Sequence, residues 1–234
     1  INATRPVGDM ASEGDLAALT TVDGSLIAFR GRREAWRKPL GATPTAGVIG
    51  AHGAFWVGTA GGTVVRVGAT DARSRTLRVA GTNVPVSSLV ATQSGMLLTT
   101  ANGSLIVLSA EGTVRWRLDE LGDLVGSPAL SGKLVAIVNR GGTLSLLNAE
   151  DGSVVRTFEV GKGAGHGVLG GAGIFFAARR DGHAWAYDVE ADWVVLDAPM
   201  GLHALCTPKF LDNERMVVCL QNGRLALIPL PRLP

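Results

Sequence analysis

Short apolar runs follow one another along this chain, and pairs of turn-forming residues separate them at regular intervals. Six pairs recur, namely Asp23-Gly24, Gly61-Gly62, Asn102-Gly103, Gly141-Gly142, Asp181-Gly182 and Asn222-Gly223. The second glycines of successive pairs lie 38, 41, 39, 40 and 41 residues apart. Such pairs are typical of tight β-hairpins, because they accept positive φ at both central positions of a type I′ turn. A hairpin that recurs every ~40 residues predicts the four-stranded blades of a β-propeller.

The fourth unit shows the order of the strands most clearly. Ser127–Leu130 is a short first strand, and Leu134–Val138 is a nearly continuous apolar second strand, as expected where neighbouring blades cover both faces. Thr143–Leu147 alternates as a third strand, and Ser153–Val160 is the outermost strand. The second strands of the other units are Asp15–Thr20, Ala54–Thr59, Met96–Thr100, Ile174–Ala178 and Met216–Leu220. Their third strands are Ser25–Phe29, Thr63–Val67, Ser104–Leu108, His183–Tyr187 and Arg224–Ile228.

The pattern predicts an all-β fold, a single β-propeller of six four-stranded antiparallel blades in one domain. The approximate blade bounds are 7–40, 46–80, 86–118, 126–160, 166–197 and 203–234. One outer strand is unaccounted for, because the usual offset from Gly223 falls just beyond Pro234. The last blade then has three strands, or the segment 229–234 lies along its edge, or residues before Ile1 or a longer protein supply the strand. We expect a complete ring with an irregular last blade, since an open apolar edge invites aggregation.

The predicted outer strands carry a large apolar residue at a similar offset from the turn glycine. These residues are Trp36, Leu77, Trp116, Phe158, and either Trp193 or Val195. A large side chain at this offset reaches over its own sheet to the next blade. We therefore interpret the tryptophans as packing between blades rather than as platforms for a stacked ligand.

Three stretches resemble a known repeat, and they are Thr143–Phe158, Ser25–Trp36 and Ser104–Trp116. Each runs from an apolar third strand through a turn to an outer-strand aromatic residue, as in the PQQ-like propeller repeat. The resemblance covers essentially the whole chain, although only the first and third units keep the tryptophan. Such repeats occur in the outer-membrane assembly lipoprotein BamB, in extracellular regions of bacterial receptor kinases and in quinoprotein alcohol dehydrogenases. The resemblance implies a bacterial, extracytoplasmic propeller, periplasmic or otherwise outside the cytoplasm.

The composition excludes several classes of protein. Hydrophobic residues make up 46% of the 234 residues, but they are divided among many strands, and no run approaches the ~18 residues of a membrane-spanning helix. The 22 basic residues almost balance the 20 acidic ones. Nucleic-acid binding relies on a concentrated basic face, so this balance gives no reason to expect a nucleic-acid partner.

Residues with catalytic or metal-binding chemistry are few and scattered. None of the four histidines, His52, His166, His183 and His203, stands at a spacing typical of zinc. His166 and His203 are expected near the rim of a central channel, either as partner contacts or as exposed loop residues. The quinoprotein dehydrogenases that share the repeat need a quinone pocket, bound Ca²⁺ and commonly adjacent cysteines, whereas the two cysteines here are 13 residues apart. We predict no catalytic residues, no cofactor, no metal and no enzymatic activity.

Both cysteines fall on paired strands of the last unit. Antiparallel pairing centred on Asn213 places Thr207 opposite Cys219, which makes Cys206 and Cys219 diagonal neighbours. Buried thiols are one interpretation, because cysteine suits small apolar strand positions. A disulfide formed in an oxidising compartment is the other.

Basic residues concentrate on the predicted outer strands. They are Arg32, Arg33, Arg37, Lys38, Arg73, Arg75, Arg78, Arg115, Arg117 and Arg156. Long cations on an exposed edge discourage the addition of another sheet, which is the first interpretation. The second is a basic rim that binds an acidic partner, a polyanion or anionic lipid headgroups. The candidate partner-binding residues are Arg32, Arg33, Arg37, Arg73, Arg75, Arg115, Arg117, His166 and His203.

These observations favour a non-catalytic scaffold that binds protein partners in a larger bacterial envelope or outer-membrane complex. The alternatives are a ligand-sensing propeller domain of a receptor or kinase and, third, a PQQ-dependent dehydrogenase. No transmembrane segment is expected in this chain, and association with a membrane surface stays open. The expected interaction surface consists of the loops that join outer to first strands, Gly41–Ala46, Gly81–Val86, Asp119–Gly126, Gly161–Gly165 and Pro199–Leu205.

Overall fold

The computed structural model contains six antiparallel sheets, here called blades 1 to 6, whose strands follow one another in chain order. It describes residues 6–161, 167–179, 181–199, 201, 208–212 and 214–230. Within these ranges there is no helix, five blades have four strands, and blade 6 has three. The all-β prediction is therefore confirmed.

The strands of blades 1 to 3 fall where the turn register places them. Blade 1 contains β1 (Pro6–Glu13), β2 (Leu16–Thr21), β3 (Ser25–Arg30) and β4 (Arg33–Pro39). Blade 2 contains β5 (Ile49–Ala51), β6 (Ala54–Gly58), β7 (Thr63–Gly68) and β8 (Ser74–Arg78). Blade 3 contains β9 (Val86–Thr92), β10 (Gly95–Thr100), β11 (Leu105–Ser109) and β12 (Val114–Leu118).

The remaining blades repeat this order. Blade 4 contains β13 (Ala129–Ser131), β14 (Leu134–Val138), β15 (Thr143–Asn148) and β16 (Val154–Glu159). Blade 5 contains β17 (Leu169–Gly171), β18 (Ile174–Ala178), β19 (His183–Asp188) and β20 (Trp193–Pro199). Blade 6 contains β21 (Lys209–Phe210), β22 (Arg215–Cys219) and β23 (Leu225–Pro229). Every predicted second and third strand overlaps its observed counterpart.

Blade 6 ends without a fourth strand in the part of the chain that the structure describes. After Pro229, the N–H of Leu230 donates to the carbonyl oxygen of Glu214 at 2.7 Å. Leu230 therefore continues along β22 and does not fold back over β23. Residues 231–234 lie outside the described residues, so whether they follow the edge stays a prediction.

The tight turns confirm the six hairpins but not their predicted type. Positive φ occurs at the second glycine of each pair, for example 76° at Gly24 and 78° at Gly103, but not at Asp23 or Asn102. The N–H of Gly24 bonds to the carbonyl of Thr21 at 2.9 Å. This is a type I turn followed by a left-handed glycine, a three-residue hairpin loop. The type I′ prediction was wrong because the same residue pair also fits the last two positions of this longer loop.

A side chain completes each turn by accepting the N–H of the residue after the glycine. In blades 1 to 4 the acceptor precedes the glycine by three residues, and in blades 5 and 6 by one residue. The acceptors are Thr21, Thr59, Thr100, Asn139, Asp181 and Asn222. Ser, Thr, Asn and Asp all mimic backbone acceptors in this way, so six different local sequences close the same turn.

In blades 2 and 5, the third strand alternates its side chains between two neighbouring blades. In β7, Val65 belongs to the cluster shared by blades 1 and 2, whereas Val64 belongs to the cluster shared by blades 2 and 3. In β19, Trp185 likewise packs with blade 4, and Ala186 packs with blade 6. Burying a Val or Leu side chain contributes about 1.5–3 kcal/mol, so each neighbour adds substantially to the stability of a blade.

The contacts divide the chain into two compact units, Ile1–Glu120 and Leu121–Pro234. The first unit holds blades 1 to 3, and the second holds blades 4 to 6. The organisation of the whole chain as one domain stays a prediction.

We expect Gly62→Ala to destabilise the protein more than Gly53→Ala. Both glycines have positive φ, +74° and +69°. A left-handed alanine costs about 1–2 kcal/mol, and this cost is common to both variants. A Cβ at Gly62 would also lie 2.5 Å from the carbonyl oxygen of Gly81, whereas nothing lies within 4 Å at Gly53. The backbone overlap should add roughly 1 kcal/mol or more, measured from urea unfolding midpoints. Equal midpoints would contradict the close approach.

Candidate interaction surface

Large outer-strand residues pack between blades, as the sequence predicted. The ring of Trp36 on β4 meets Phe55 of blade 2 edge to face, with centroids 5.9 Å apart, and its indole N–H donates to the carbonyl of Ala69 at 3.2 Å. In blade 4, Phe158 packs against Trp185 and Tyr187 of blade 5, at 5.1 and 5.4 Å between centroids. These aromatic rings are occupied by protein contacts.

In blade 5, the sequence left two residues, Trp193 and Val195, for the outer-strand position that packs against the next blade. Trp193 is exposed, and Val195 packs against the apolar cluster shared by blades 5 and 6. Val195 therefore takes the packing position, since its side chain points to the neighbouring blade.

A polar bridge joins blades 4 and 5 beside these rings. The Tyr187 hydroxyl donates to the Asp192 carboxylate, and Arg156 of β16 approaches the same carboxylate at 3.1 Å. Burial raises the pKa of Tyr187 to about 12, and the hydrogen bond to Asp192 acts in the same direction. The Tyr187 hydroxyl, with help from Arg156, holds the pKa of Asp192 below its ordinary value. The bridge is therefore a neutral phenol bound to an ionised carboxylate.

The loops that join one blade to the next bind to the tight turns through backbone hydrogen bonds. In the first unit, the N–H groups of Val79 and Ala80 both donate to the carbonyl of Gly62 at 3.0 Å. The following turn then donates back, from Ala101 N–H to the carbonyl of Pro85 at 2.9 Å. In the second unit, Arg140 N–H donates to Asp123 at 2.7 Å. Turns and loops thus form a continuous surface in the first unit and between residues 121 and 161 of the second, and we call this surface of each unit its loop face.

The loop face of the first unit is formed by residues 22–24, 40–48, 60–62, 79–85 and 101–103. That of the second unit includes 121–128, 139–142 and 160–161. The predicted loops Gly41–Ala46 and Gly81–Val86 fall here, although Val86 already begins β9. Of the loops Gly161–Gly165 and Pro199–Leu205, residues 162–165, 200 and 202–205 lie outside the described residues.

A cavity of about 340 Å³ opens on the loop face at blade 1. Its lining residues are Val22, Asp23, Gly24, Pro39, Gly41, Ala42 and Thr43. The Asp23 carboxylate accepts the Thr21 hydroxyl, and this bond is the main reason why the pKa of Asp23 is lowered. An ionised carboxylate beside apolar Val22 and Pro39 suits a partner side chain that is apolar along its length and cationic at its end. Sequence reasoning missed this site, and its only signal was an apolar residue within a turn.

Most of the candidate arginines contact acceptors within their own unit. Arg37 pairs with Glu34 at 3.0 Å, Arg73 with Asp71 at 3.7 Å, and Arg117 with Asp119 at 2.7 Å. Two others donate to neutral oxygens, Arg75 to the carbonyl of Glu111 at 3.0 Å and Arg115 to the Ser94 hydroxyl at 2.8 Å. Nearby carboxylates reduce the net positive charge of the rim. The side chains of Arg32 and Arg33 are exposed on the β3–β4 hairpin. Binding of a partner by this basic rim stays a prediction.

Three of the remaining candidates, His166, His203 and Cys206, lie outside the described residues. The pairing of Lys209 with Val217 and of Phe210 with Met216 confirms the register centred on residue 213. Cys219 is half-buried on β22, opposite Leu225. Whether Cys206 and Cys219 form a disulfide stays a prediction.

Several contacts between blades involve charged side chains that the sequence reasoning did not single out. Arg66 lies over the Trp56 ring at 5.4 Å and donates to the carbonyl of Ala110 at 3.1 Å. The Glu13 carboxylate accepts the N–H of Gly53 at 2.7 Å. The signal for Arg66 was a single cation within an apolar third strand, a position where charge needs a partner.

Among the described residues, no group of three or more His, Cys, Asp or Glu side chains is arranged to hold a metal ion. No helix among them is long and apolar enough to cross a membrane.

The single tyrosine of the chain allows its pKa to be measured directly. We expect Tyr187 to titrate near pH 12, measured by near-ultraviolet difference absorbance, with tryptophan emission reporting that the protein stays folded. The folded state favours the neutral phenol. Its contribution to stability is therefore complete below pH ~10, the ordinary tyrosine pKa, and is lost as the pH rises towards 12.

Two variants separate the causes of this shift. Asp192→Asn should lower the pKa of Tyr187 but leave it above the ordinary value, because burial is the larger cause. Asp188→Asn is the matched control, since its carboxylate has a small influence and the pKa should hardly move. Titration of the folded wild-type protein near pH 10 would contradict the bridge.

Comparison with known proteins places the chain in a family. No curated protein matches it significantly. The crystal structure of BamB from Moraxella catarrhalis matches with a TM-score of 0.76 and 16% identity, over 94% of this chain and 72% of that one. This likeness shows that the six sheets are the blades of a β-propeller. A family model described as outer membrane protein assembly factor BamB matches residues 67–228, which is more than half of the chain. The chain therefore belongs to the BamB family of PQQ-like β-propellers.

Proposed function

We propose that this chain is a non-catalytic scaffold that binds protein partners in a bacterial outer-membrane or envelope assembly complex. The family description, outer membrane protein assembly factor, supports this class of function. The observation that carries the proposal is the loop face, with its cavity of about 340 Å³ at blade 1. A surface of this kind is suited to holding another protein, because it combines apolar side chains with an ionised carboxylate.

The loop face binds by presenting side chains that are already ordered. Backbone hydrogen bonds fix the loops to the turns, for example from Leu40 N–H to the carbonyl of Gly24 at 2.8 Å. Ordering a loop upon association costs free energy, so a surface ordered beforehand loses less on binding. The scaffold therefore acts by shape and position, and no covalent step is involved.

The proposal places the protein in the periplasm, close to the outer membrane. Its partners are proteins of the same complex, which would also bring it to the membrane surface. Nucleic acid is not among the proposed partners, in keeping with 22 basic and 20 acidic residues in the sequence.

A photo-crosslinking amino acid at Val22 tests whether the loop face binds a partner in cells. Val22 and Val154 are both 60% exposed, but Val154 lies on outer strand β16, away from the loop face. We expect a crosslink from position 22 to a component of the outer-membrane assembly complex, and none to that component from position 154. Crosslinking efficiency is compared at equal expression and the adduct is identified by mass spectrometry.

A deletion in the native bacterium tests the role in assembly. We expect less folded outer-membrane protein, measured by heat-dependent gel mobility, and recovery with the wild-type chain. Val22→Asp should recover less than Val154→Asp, because only the former places charge in the cavity. Unchanged levels of folded outer-membrane protein after deletion would overturn the proposed function.

A further inference from the structure

The outer edge of blades 1 and 2 carries mainly positive charge. By outer edge we mean the hairpin after the third strand together with the fourth strand, residues 31–39 and 69–78 in these two blades. The cations of this basic edge are Arg32, Arg33, Arg37, Lys38, Arg73, Arg75 and Arg78. Its two carboxylates, Glu34 and Asp71, pair with Arg37 and Arg73. The other five cations form no ion pair within the described part of the chain.

The outer edge of blades 4 and 5 carries the opposite charge. Residues 149–159 and 189–199 form this acidic edge. Its carboxylates, all of them exposed, are Glu150, Asp151, Glu159, Glu190, Asp192 and Asp197. Its one Arg or Lys in these two ranges is Arg156, which pairs with Asp192 at 3.1 Å. The two edges therefore differ in sign, although each is built from the same elements of two neighbouring blades.

Protection of the sheet edges does not explain why the two signs are segregated. Charge of either sign on an outer strand discourages the addition of another sheet, so mixed charge would protect both edges equally well. The residues outside the described ranges include no Asp or Glu, so they bring no carboxylate side chain to the basic edge. A carboxylate partner for the five remaining cations therefore has to lie on another molecule.

The acidic edge is suited to arginine in particular. Trp193 directly follows Asp192 and is 64% exposed, and exposed tryptophans are enriched among the residues that dominate protein interfaces. A guanidinium group forms bidentate pairs with carboxylates and also stacks on aromatic rings, which makes it a better partner here than an ammonium group. Arginine supplies every cation of the basic edge except Lys38. The two edges are therefore complementary in chemistry as well as in charge.

We propose that the acidic edge of one copy of this chain binds the basic edge of a second copy. Arginines of blades 1 and 2 pair with carboxylates of blades 4 and 5, and one arginine stacks on Trp193. The contact is head to tail, because the two edges belong to different units, and each copy of a pair keeps one free edge. With 22 basic and 20 acidic residues, the chain as a whole adds little net repulsion. The inference goes beyond the proposed scaffold function, and none of these charged residues lies on the loop face.

The mass of the wild-type chain in solution is the first test. We expect the weight-average mass from sedimentation equilibrium to rise with protein concentration at about 50 mM salt, and to pass that of a dimer because a head-to-tail contact leaves edges free. Near about 0.5 M salt the mass should return to that of a single chain, since salt screens exposed charges. Trp193→Ala should weaken association about two- to fivefold, because stacking of an arginine on the ring is lost.

Two complementary variants test which edges meet, since each brings the charges of one edge close to balance and leaves the other edge intact. The basic-edge variant is Arg32→Glu/Arg33→Glu/Arg78→Glu, and the acidic-edge variant is Glu150→Lys/Glu159→Lys/Glu190→Lys. Each variant alone should associate about tenfold more weakly than the wild type, or worse. An equal mixture of the two should recover association and stop at a heterodimer, because one intact edge then remains on each copy.

A third variant controls for net charge. Arg140→Glu/Lys209→Glu/Arg224→Glu changes the net charge by as much as the basic-edge variant does, and its three residues are exposed but lie outside both edges. Its association should equal that of the wild type. Far-ultraviolet circular dichroism verifies that each variant is folded.

A photo-crosslinking amino acid in place of Trp193 locates the contact. In a mixture of isotopically labelled and unlabelled chains, we expect crosslinked peptides that join the two kinds of chain and contain residues of the basic edge. Crosslinks confined to one kind of chain would show that the two edges meet within a single copy, which would contradict the proposal.

Each remaining outcome overturns the proposal. The mass of a single chain at every concentration would exclude the contact, and so would a mixture of the two variants that fails to associate. Binding to phosphatidylglycerol vesicles that the basic-edge variant loses, without self-association of the wild type, would assign the basic edge to a lipid surface. The crosslink from Val22 reports on the scaffold function separately, because Val22 lies on the loop face.

Discussion

The structure depends on one constraint, which is that a blade buries side chains on both of its faces. Neighbouring residues of a third strand, such as Val64 and Val65 in blade 2 or Trp185 and Ala186 in blade 5, belong to different apolar clusters, so these two blades each contribute to two cores. Polar side chains occur on these packed faces where they form hydrogen bonds, as Arg66 does with the carbonyl of Ala110. A blade with one uncovered face must therefore differ in sequence or bind something else. Blade 6 differs on its third strand, where Leu225 and Leu227 are exposed.

The turn glycines made much of this fold predictable from sequence. Their interval of about 40 residues located the strands, because a glycine with positive φ fixes where each hairpin reverses. The type of turn was not predictable from the residue pair alone, since Asp-Gly and Asn-Gly suit both loops. The cavity at Val22 and Asp23 was also beyond the sequence, because it depends on how the loop after β4 returns to the turn before β3. Such tertiary contacts leave no periodic signal.

Arginines on the outer strands form both ion pairs and hydrogen bonds to neighbouring blades. Arginines there pair with carboxylates on the same strand or just beyond it, as Arg117 does with Asp119, and also reach neighbouring blades, as Arg117 does with the carbonyl of Val79 at 2.8 Å. The hydrogen bond to Arg117 is the main cause of the lowered pKa of Asp119, with the Ser104 hydroxyl second. Charge at the edge thus contributes to joining blades 2 and 3 as well as to keeping the edge soluble.

The hydrogen bonds between loops and turns hold the ends of the loops in place, and the residues between those ends lie at the surface. The loop after β8 is held near both ends, where Val79 and Ala80 bond to Gly62 and Pro85 accepts the N–H of Ala101. Between these anchors, Asn83 is exposed, has positive φ and takes no part in the apolar clusters. Residues at such a tip are free to change or to increase in number while the anchors keep the blades in register. Changes at such a loop tip are thereby separated from the packing that stabilises the blades.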